Sequence, residues 1–292
     1  MRKFTVPPVD LSIIIVNYNV KNFLRLALQA VFASRGDFSM EVIVVDNDSV
    51  DDSMTMVRTE FPQVICLEND KNWGFAHACN QGIAVSSGRY LLFLNPDNVV
   101  APDTLQTMLQ LMEHHPDIGA AGCRMNAPDG TFIYTSRRGL PDPLASFAKL
   151  TGLARLFPTH PRLGKYNLTY LAPDHSGEVE ALSGAFFLVR REVIDQVGGW
   201  DEAYFMYGED LDWSRRIGEA GWRIYYEAGA TCTHYYRRSS RRRPIYMTFV
   251  FHQAMIIYYN KFLAGQNRLL DGLVYFAISG RMLILLAKAV VK

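Results

Sequence analysis

SIIIVNYN (12–19), VIVVDNDS (42–49) and YLLFLNPD (90–97) are the stretches that decide the fold. Each is a short apolar run, rich in β-branched or aromatic residues, that closes on Asn and Asp. Such runs read as strands over Leu11 to Val16, Glu41 to Val45 and Tyr90 to Leu94, and Val64 to Leu67 adds a fourth. Helical spacing of apolar residues separates them, over 20–33, 51–60, 75–85 and 102–114. Pro102 suits a first helical turn, and Gly88 stops the third helix. Near-continuous apolar strands alternating with helices predict an α/β fold, with a mostly parallel sheet flanked by helices.

The strand ends carry the functional signal. They read Asn17-Tyr18-Asn19, Asp46-Asn47-Asp48, Glu68-Asn69-Asp70 and Asn95-Pro96-Asp97-Asn98. In an open α/β sheet, ligands bind outside the carboxyl ends of the strands. Asn and Asp also favour turns for purely local reasons, but four polar ends in succession are better explained by one shared rim. No GxGxxG follows the first strand and no GxxxxGK[ST] occurs, so a diphosphate here is not held by a glycine loop. A metal ion would have to neutralise it instead. Asp97 is the best ligand, since hard divalent cations prefer carboxylate and phosphate oxygen.

Beyond residue 118 the pattern changes. Strands are expected over 118–125, 184–189 and 222–226, and a helix over 210–220. The segment from Arg137 to Pro173, rich in Pro, Gly and basic residues, reads as a long functional loop or helical insertion. Tyr207-Gly208-Glu209-Asp210-Leu211-Asp212 opens the helix, where carboxylates are favoured by the helix dipole. One of these three acids is expected only to cap the helix or pair with Arg215 and Arg216. Ser183-Gly184-Ala185 would let backbone approach a neighbour closely, or simply bend a strand.

The chain has 292 residues, 49% hydrophobic and 20% charged, with a net charge of +1. That is ordinary globular composition, and bulk charge gives no reason to expect a nucleic-acid partner. Cys66, Cys79, Cys123 and Cys232 form no CxxC pair and read as buried thiols in a reducing compartment. The opening MRKFTVPPVDLS lacks the apolar core of an export signal, and no run is read as long enough to span a membrane.

SIIIVNYN, VIVVDNDSVDDS, NDKNWGFAHACNQGI, YLLFLNPD, SGAFFLVR, GGWDEAYFMYGEDLDWSRR and His234, kept in this order over roughly residues 10 to 260, resemble the inverting family-two glycosyltransferases of GT-A fold. Within that group they are most similar to rhamnosyltransferase-type enzymes. The resemblance implies a GT-A catalytic domain over 1–240, with a donor half at about 10–125 and an acceptor and catalytic half at 126–240, followed by a helical region over 241–292. It implies that Asp46 reads the nucleobase beside Asn17, Tyr18 and Asn19, and that Asn72 and Gly74 form a loop beside the donor; Trp73, with the segment Arg137 to Pro173, is read as contributing to specificity. Asp97 resembles the metal-binding acid of an Asp-x-Asp motif whose first acid is Asn95 here. Asp210, next to Glu209, resembles the general base, and His234 a late contact to metal or diphosphate. Ser183 and Gly184 complete the substrate-binding set.

The function so implied is transfer of a sugar from a nucleotide-diphosphate donor to a glycan or lipid-linked acceptor in cell-envelope polysaccharide synthesis, with Mg²⁺ or Mn²⁺. The subgroup points to L-rhamnose from dTDP-rhamnose, the alternatives being a UDP-hexose donor or an inactive nucleotide-sugar-binding module. A nucleotidyltransferase or nicotinamide enzyme is disfavoured by the missing glycine loop. The C-terminal region adds a membrane expectation. Arg237, Arg238, Arg241, Arg242 and Arg243 form a basic cluster, followed by apolar helices over 244–262 and 269–292. At about 100° per residue, Arg281, Lys288 and Lys292 share one face, which suggests a helix lying in the interface with its cations toward anionic headgroups rather than spanning. The enzyme is thus expected to be cytoplasmic and peripheral on the membrane.

Overall fold

A computed structural model describes residues 9–235 and 244–290. The first half runs β1 (Leu11–Asn17), α1 (Lys21–Phe32), β2 (Met40–Asp46), α2 (Ser53–Glu60), β3 (Ile65–Glu68), α3 (Phe75–Val85), β4 (Tyr90–Leu94), β5 (Asn98–Val100), α4 (Thr104–His114) and β6 (Ile118–Asn126). The second half runs β7 (Arg137–Arg138), α5 (Pro143–Thr151), α6 (Leu153–Leu156), β8 (Gly177–Glu178), β9 (Ala181–Leu182), β10 (Phe186–Arg190), α7 (Arg191–Val197), α8 (Glu209–Glu219) and β11 (Arg223–His234). Two long helices close the chain, α9 (Pro244–Phe262) and α10 (Arg268–Val290).

The main sheet has the order β3-β2-β1-β4-β10-β6-β11-β5, with β8 on β11. β1, β2, β3 and β4 pair in parallel, as does β6 with β11. β10 is inserted antiparallel between β4 and β6, so the sheet is mostly rather than wholly parallel. Leu24, Leu28 and Val31 of α1 pack one face with Met54, Val57, Leu105 and Met108. Ala76 and Cys79 of α3, Val193 of α7, and Trp213 and Ile217 of α8 pack the other. Burial on both faces is why the strands lack alternation.

Two features depart from the sequence reading, and a third is one of its two alternatives. The strand expected to end near Tyr226 continues to His234, because its distal half pairs with both β5 and β6. The segment 137–173 is the helical insertion of the two readings, carrying α5 and α6. And α10 does reach the dimensions of a span: Arg268–Lys288 has a mean hydropathy of 1.8, contrary to the expectation that it is too short and interrupted. Arg281, its interior charge, does not face outward. Its Nη1 lies 2.7 Å from His252 Nε2 on α9, and its guanidinium sits over Phe251. The shared cationic face thus packs at Arg281 against α9 instead of reaching headgroups. The basic cluster Arg237, Arg238, Arg241, Arg242 and Arg243, like Lys292, lies outside the described residues.

Candidate active site

The ends of β1 and β2 form the first part of the site. Asp46 is buried; its Oδ1 accepts from Asn17 Nδ2 at 2.7 Å, and its Oδ2 from the Ser49 amide at 2.8 Å. Asn19, at φ 55°, accepts from the Val50 amide at 2.8 Å. Asn17 Oδ1 is buried with no hydrogen-bond partner among the described residues. A buried acceptor left unpaired costs free energy unless a ligand satisfies it. Tyr18, between Asn17 and Asn19, is half-buried.

The loop before α3 closes over the same end of the sheet. Asn47 Nδ2 donates to the Gly74 carbonyl at 3.0 Å, and Asn72 Oδ1 accepts from the Gly74 amide at 2.9 Å. Gly74 has φ 93°, and a Cβ there would come within 2.5 Å of the Phe205 carbonyl oxygen, so both conformation and space demand glycine. Phe75 N donates to that same carbonyl at 2.8 Å, which fastens this loop to the one preceding α8. Trp73 is exposed, under Lys71, with its indole N–H on Asp70.

Asp97 and His234 meet where β5 pairs with the end of β11. Asp97 Oδ1 is 3.2 Å from His234 Nε2, and both side chains are buried. They supply one hard oxygen and one imidazole nitrogen. This fits a divalent cation whose other ligands come from donor phosphates or water. No group of three or more His, Cys, Asp or Glu side chains is arranged for a metal among the described residues, consistent with Asn95 in place of the first acid.

α8 brings the second acidic group. Gly208, at φ 82°, follows the left-handed Tyr207 and turns the chain into the helix. Beneath it, Trp213 packs on Trp200 at 4.4 Å and Phe187 at 5.0 Å between ring centroids. Burying such side chains is worth about 1.5–3 kcal/mol each, which holds the start of α8 against β10. The three acids then separate by environment. Asp212 is fully buried and paired with Arg216 at 2.7 Å and Lys261 at 2.7 Å; it is the structural acid of the set. Asp210 Oδ2 receives Arg138 at 2.5 Å and the Gly184 amide at 3.0 Å. Burial pushes the Glu209 carboxyl up to about 8, with the Asp210 charge adding to it. Glu209 Oε2 has no hydrogen-bond partner among the described residues.

Two consecutive residues join the halves of the site. Gly184 donates its amide to Asp210, while the Ala185 carbonyl accepts from the Asn95 amide at 2.9 Å and from the Asn98 side chain. Ser183 Oγ accepts from the Ala185 amide at 3.2 Å, bracing this turn. The structure therefore brings Asn95, Asp97, His234, Ser183, Gly184, Asp210 and Glu209 together, with Asn17, Asn19 and Asp46 along the same strand ends. Arg138 escaped the sequence reading. It is buried and donates to both Asp210 and the Leu182 carbonyl. Burial opposes its charge, but Asp210 and Tyr166 hold its guanidinium above its ordinary value. The one hint was its place in a basic segment already suspected of function.

Comparison with known proteins identifies the family. The family model described as "Glycosyl transferase family 2" matches residues 12–198, and "Glycosyl transferase family group 2" matches 165–280. An N-acetylglucosaminyl-diphospho-decaprenol L-rhamnosyltransferase of Mycobacterium tuberculosis is 31% identical over 230 residues, 75% of this chain and 74% of that protein. A poly-beta-1,6-N-acetyl-D-glucosamine synthase of Staphylococcus aureus is 25% identical, covering 76% of this chain and 49% of its own. The solved mannosyltransferase PcManGT of Pyrobaculum calidifontis, in complex with GDP-Man and Mn²⁺, superposes with a TM-score of 0.60 at 17% identity, over 90% of this chain and 66% of that one. GalNAc-T7 with UDP, GalNAc and Mn²⁺ superposes with a TM-score of 0.59 at 15% identity, over 80% and 45%. These two likenesses bear on the fold alone.

Proposed function

This chain belongs to glycosyl transferase family 2, and from that premise we propose an inverting transferase that moves L-rhamnose from dTDP-rhamnose to a hydroxyl of a lipid-linked glycan in cell-envelope synthesis. The donor choice is supported by the rhamnosyltransferase relative. The observation that carries the mechanism is the Gly184–Ala185 link between the Asp97 turn and Asp210. It supports a single displacement, with leaving-group and base functions on opposite sides of one short turn.

The nucleobase sits against Asp46, and the orphaned Asn17 Oδ1 takes a donor from it. The acceptor hydroxyl attacks the anomeric carbon and passes its proton to Asp210, a contribution on the order of a hundred- to ten-thousand-fold in rate. A divalent cation held by Asp97 and His234 would neutralise charge developing on the departing diphosphate. Glu209, held neutral, is not the base; it lets Asp210 carry the only negative charge at the start of α8 that faces the reaction. Arg138 and the Gly184 amide fix the Asp210 carboxylate in place.

The membrane enters through α10. α9 and α10 form an antiparallel hairpin, tied by Tyr259 to Asp271, Tyr275 to Asn260 and Arg281 to His252. Ala254 and Tyr258 of α9 pack on Tyr204 and Leu211 of the catalytic domain. α10 therefore lies along a braced helix, with Leu273, Phe276 and Leu283 outward at 59%, 79% and 64% exposure. That face suits the lipid interface on the cytoplasmic side, where a lipid-linked acceptor would be met. A panel of dTDP-, UDP- and GDP-sugars, with and without Mg²⁺ or Mn²⁺, tests the reading. Metal-dependent release of dTDP is expected, and release from UDP-hexoses alone would overturn the donor assignment.

A further inference from the structure

The insertion between β7 and β8 carries cations that the fold does not use. Lys165 is paired with Asp142 at 3.4 Å and Glu180 at 3.3 Å, and Arg138 with Asp210. Lys149 and Arg155 have no carboxylate within salt-bridge distance among the described residues. Lys149 instead lies over the Tyr166 ring, 5.5 Å from its centroid, and Tyr166 in turn contacts Arg138. A chain of contacts thus runs from Lys149 through Tyr166 and Arg138 to Asp210. Desolvation, then the charges of Arg155 and Arg138, push the Lys149 ammonium below its ordinary value. The charges of Arg155 and Arg138 thus both oppose that of Lys149, and an anion bound at Lys149 would relieve the repulsion.

The same insertion is apolar on its outside. Leu144, Phe147 and Leu150 follow one face of α5 and are 49%, 57% and 40% exposed; Leu156 and Phe157 are 72% and 52% exposed. Ala145 and Ala148 take the buried face. Leu140, at the root of the insertion, packs with Tyr204, Leu211 and Tyr258, so this greasy surface neighbours α9. Cations next to exposed hydrocarbon, beside a carboxylate suited to deprotonate a hydroxyl, match a ligand with an anionic head and an aliphatic tail.

We propose that Lys149 and Arg155 seat the phosphate or diphosphate of a lipid-linked acceptor, whose hydrocarbon chain runs over Phe147, Leu150 and Phe157. The proposal rests on the transferase reading and assigns the acceptor side of that site. The anionic head on Lys149 would leave the sugar one contact chain away, at Asp210.

Binding of farnesyl diphosphate, farnesol and inorganic pyrophosphate to the full chain, in chelator, tests this without requiring turnover. Farnesyl diphosphate should bind the wild type, and its Kd should rise about tenfold or more in Lys149→Ala/Arg155→Ala. The charge-conserving Lys149→Arg/Arg155→Lys should recover most of that loss, which a merely structural role would not predict. Near-UV circular dichroism checks the fold, and Lys149→Gln/Arg155→Gln replaces the alanine pair should it fail to fold. Unchanged farnesyl diphosphate affinity in the neutralised variant, or equally tight farnesol binding, would overturn the proposal. So would an equal loss of binding to acceptor-free phosphatidylglycerol vesicles, which would mark a general membrane contact. Metal-dependent release of nucleoside diphosphate by the wild type, measured in parallel, reports separately on the transferase reading.

Discussion

Glu209→Gln isolates the consequence of burying a carboxyl beside Asp210. The folded carboxyl titrates at about 8 against 4.5 for the ordinary group. Because the folded value is raised, the protonated form belongs to the fold, and stability is fully present below pH 4.5. As pH rises from there toward 8, folding must take up a proton. Wild-type stability then falls by up to about 1.4 kcal/mol per pH unit, flattening above the folded value. The accumulated loss is on the order of 3–5 kcal/mol near pH 8. Glutamine keeps the shape and has no charge to bury, so its stability should stay flat over the same window. Thermal melts from pH 5 to 9 should show the variant and wild type converging in acid and separating in base. The separation in Tm should be roughly 8 °C, at about 2 °C per kcal/mol for a chain of this size. At neutral pH the variant should retain turnover within a few-fold. Parallel melting curves across the range would refute the buried neutral carboxyl. A turnover loss larger than that of Asp210→Asn would show that the base has been assigned to the wrong neighbour.

Asp210→Asn should keep donor binding and lose at least about a hundredfold in kcat, read by single-turnover transfer with donor affinity measured separately. Asp97→Ala should abolish metal-stimulated transfer while changing Tm little, since the ion pair of the Asp97 carboxylate among the described residues is the one with His234; near-normal turnover in chelator would remove the metal from the mechanism. A chain ending near Gly265 should lose co-sedimentation with anionic liposomes while α9 stays docked through Lys261 on Asp201 and Asp212. Equal binding by both chains, or by neither at low salt, would exclude α10 as the anchor.

The strands and their polar ends were legible because apolar β-branched runs and terminal Asn or Asp are local signals. β1 and β4 lie where the runs put them, and Asp46 and Asp97 stand at the rim they imply. Other features depend on partners remote in sequence. His234 reaches Asp97 only through the antiparallel register that sets it opposite Asn98. Arg138 looks like any basic loop residue until β7 pairs with β9 and aims it at Asp210. Periodicity grouped Arg281 with Lys288 correctly on a helix face, but cannot say whether that face meets lipid or protein. Among the three acids of α8, composition is the same and only burial and pairing tell Glu209, Asp210 and Asp212 apart.

The turn at Gly184 and Ala185 acts as a ruler between the two chemical ends of the site. Adjacent residues in a trans chain hold their Cα atoms about 3.8 Å apart, and here one reaches the Asp210 carboxylate while the other reaches the Asp97 turn. One short piece of main chain therefore ties the Asp97 turn to the Asp210 carboxylate directly, with no surrounding loop between them. A chain built this way can exchange the part of its insertion beyond Arg138, which itself holds Asp210, and so change which acceptor it serves while this link stays as it is.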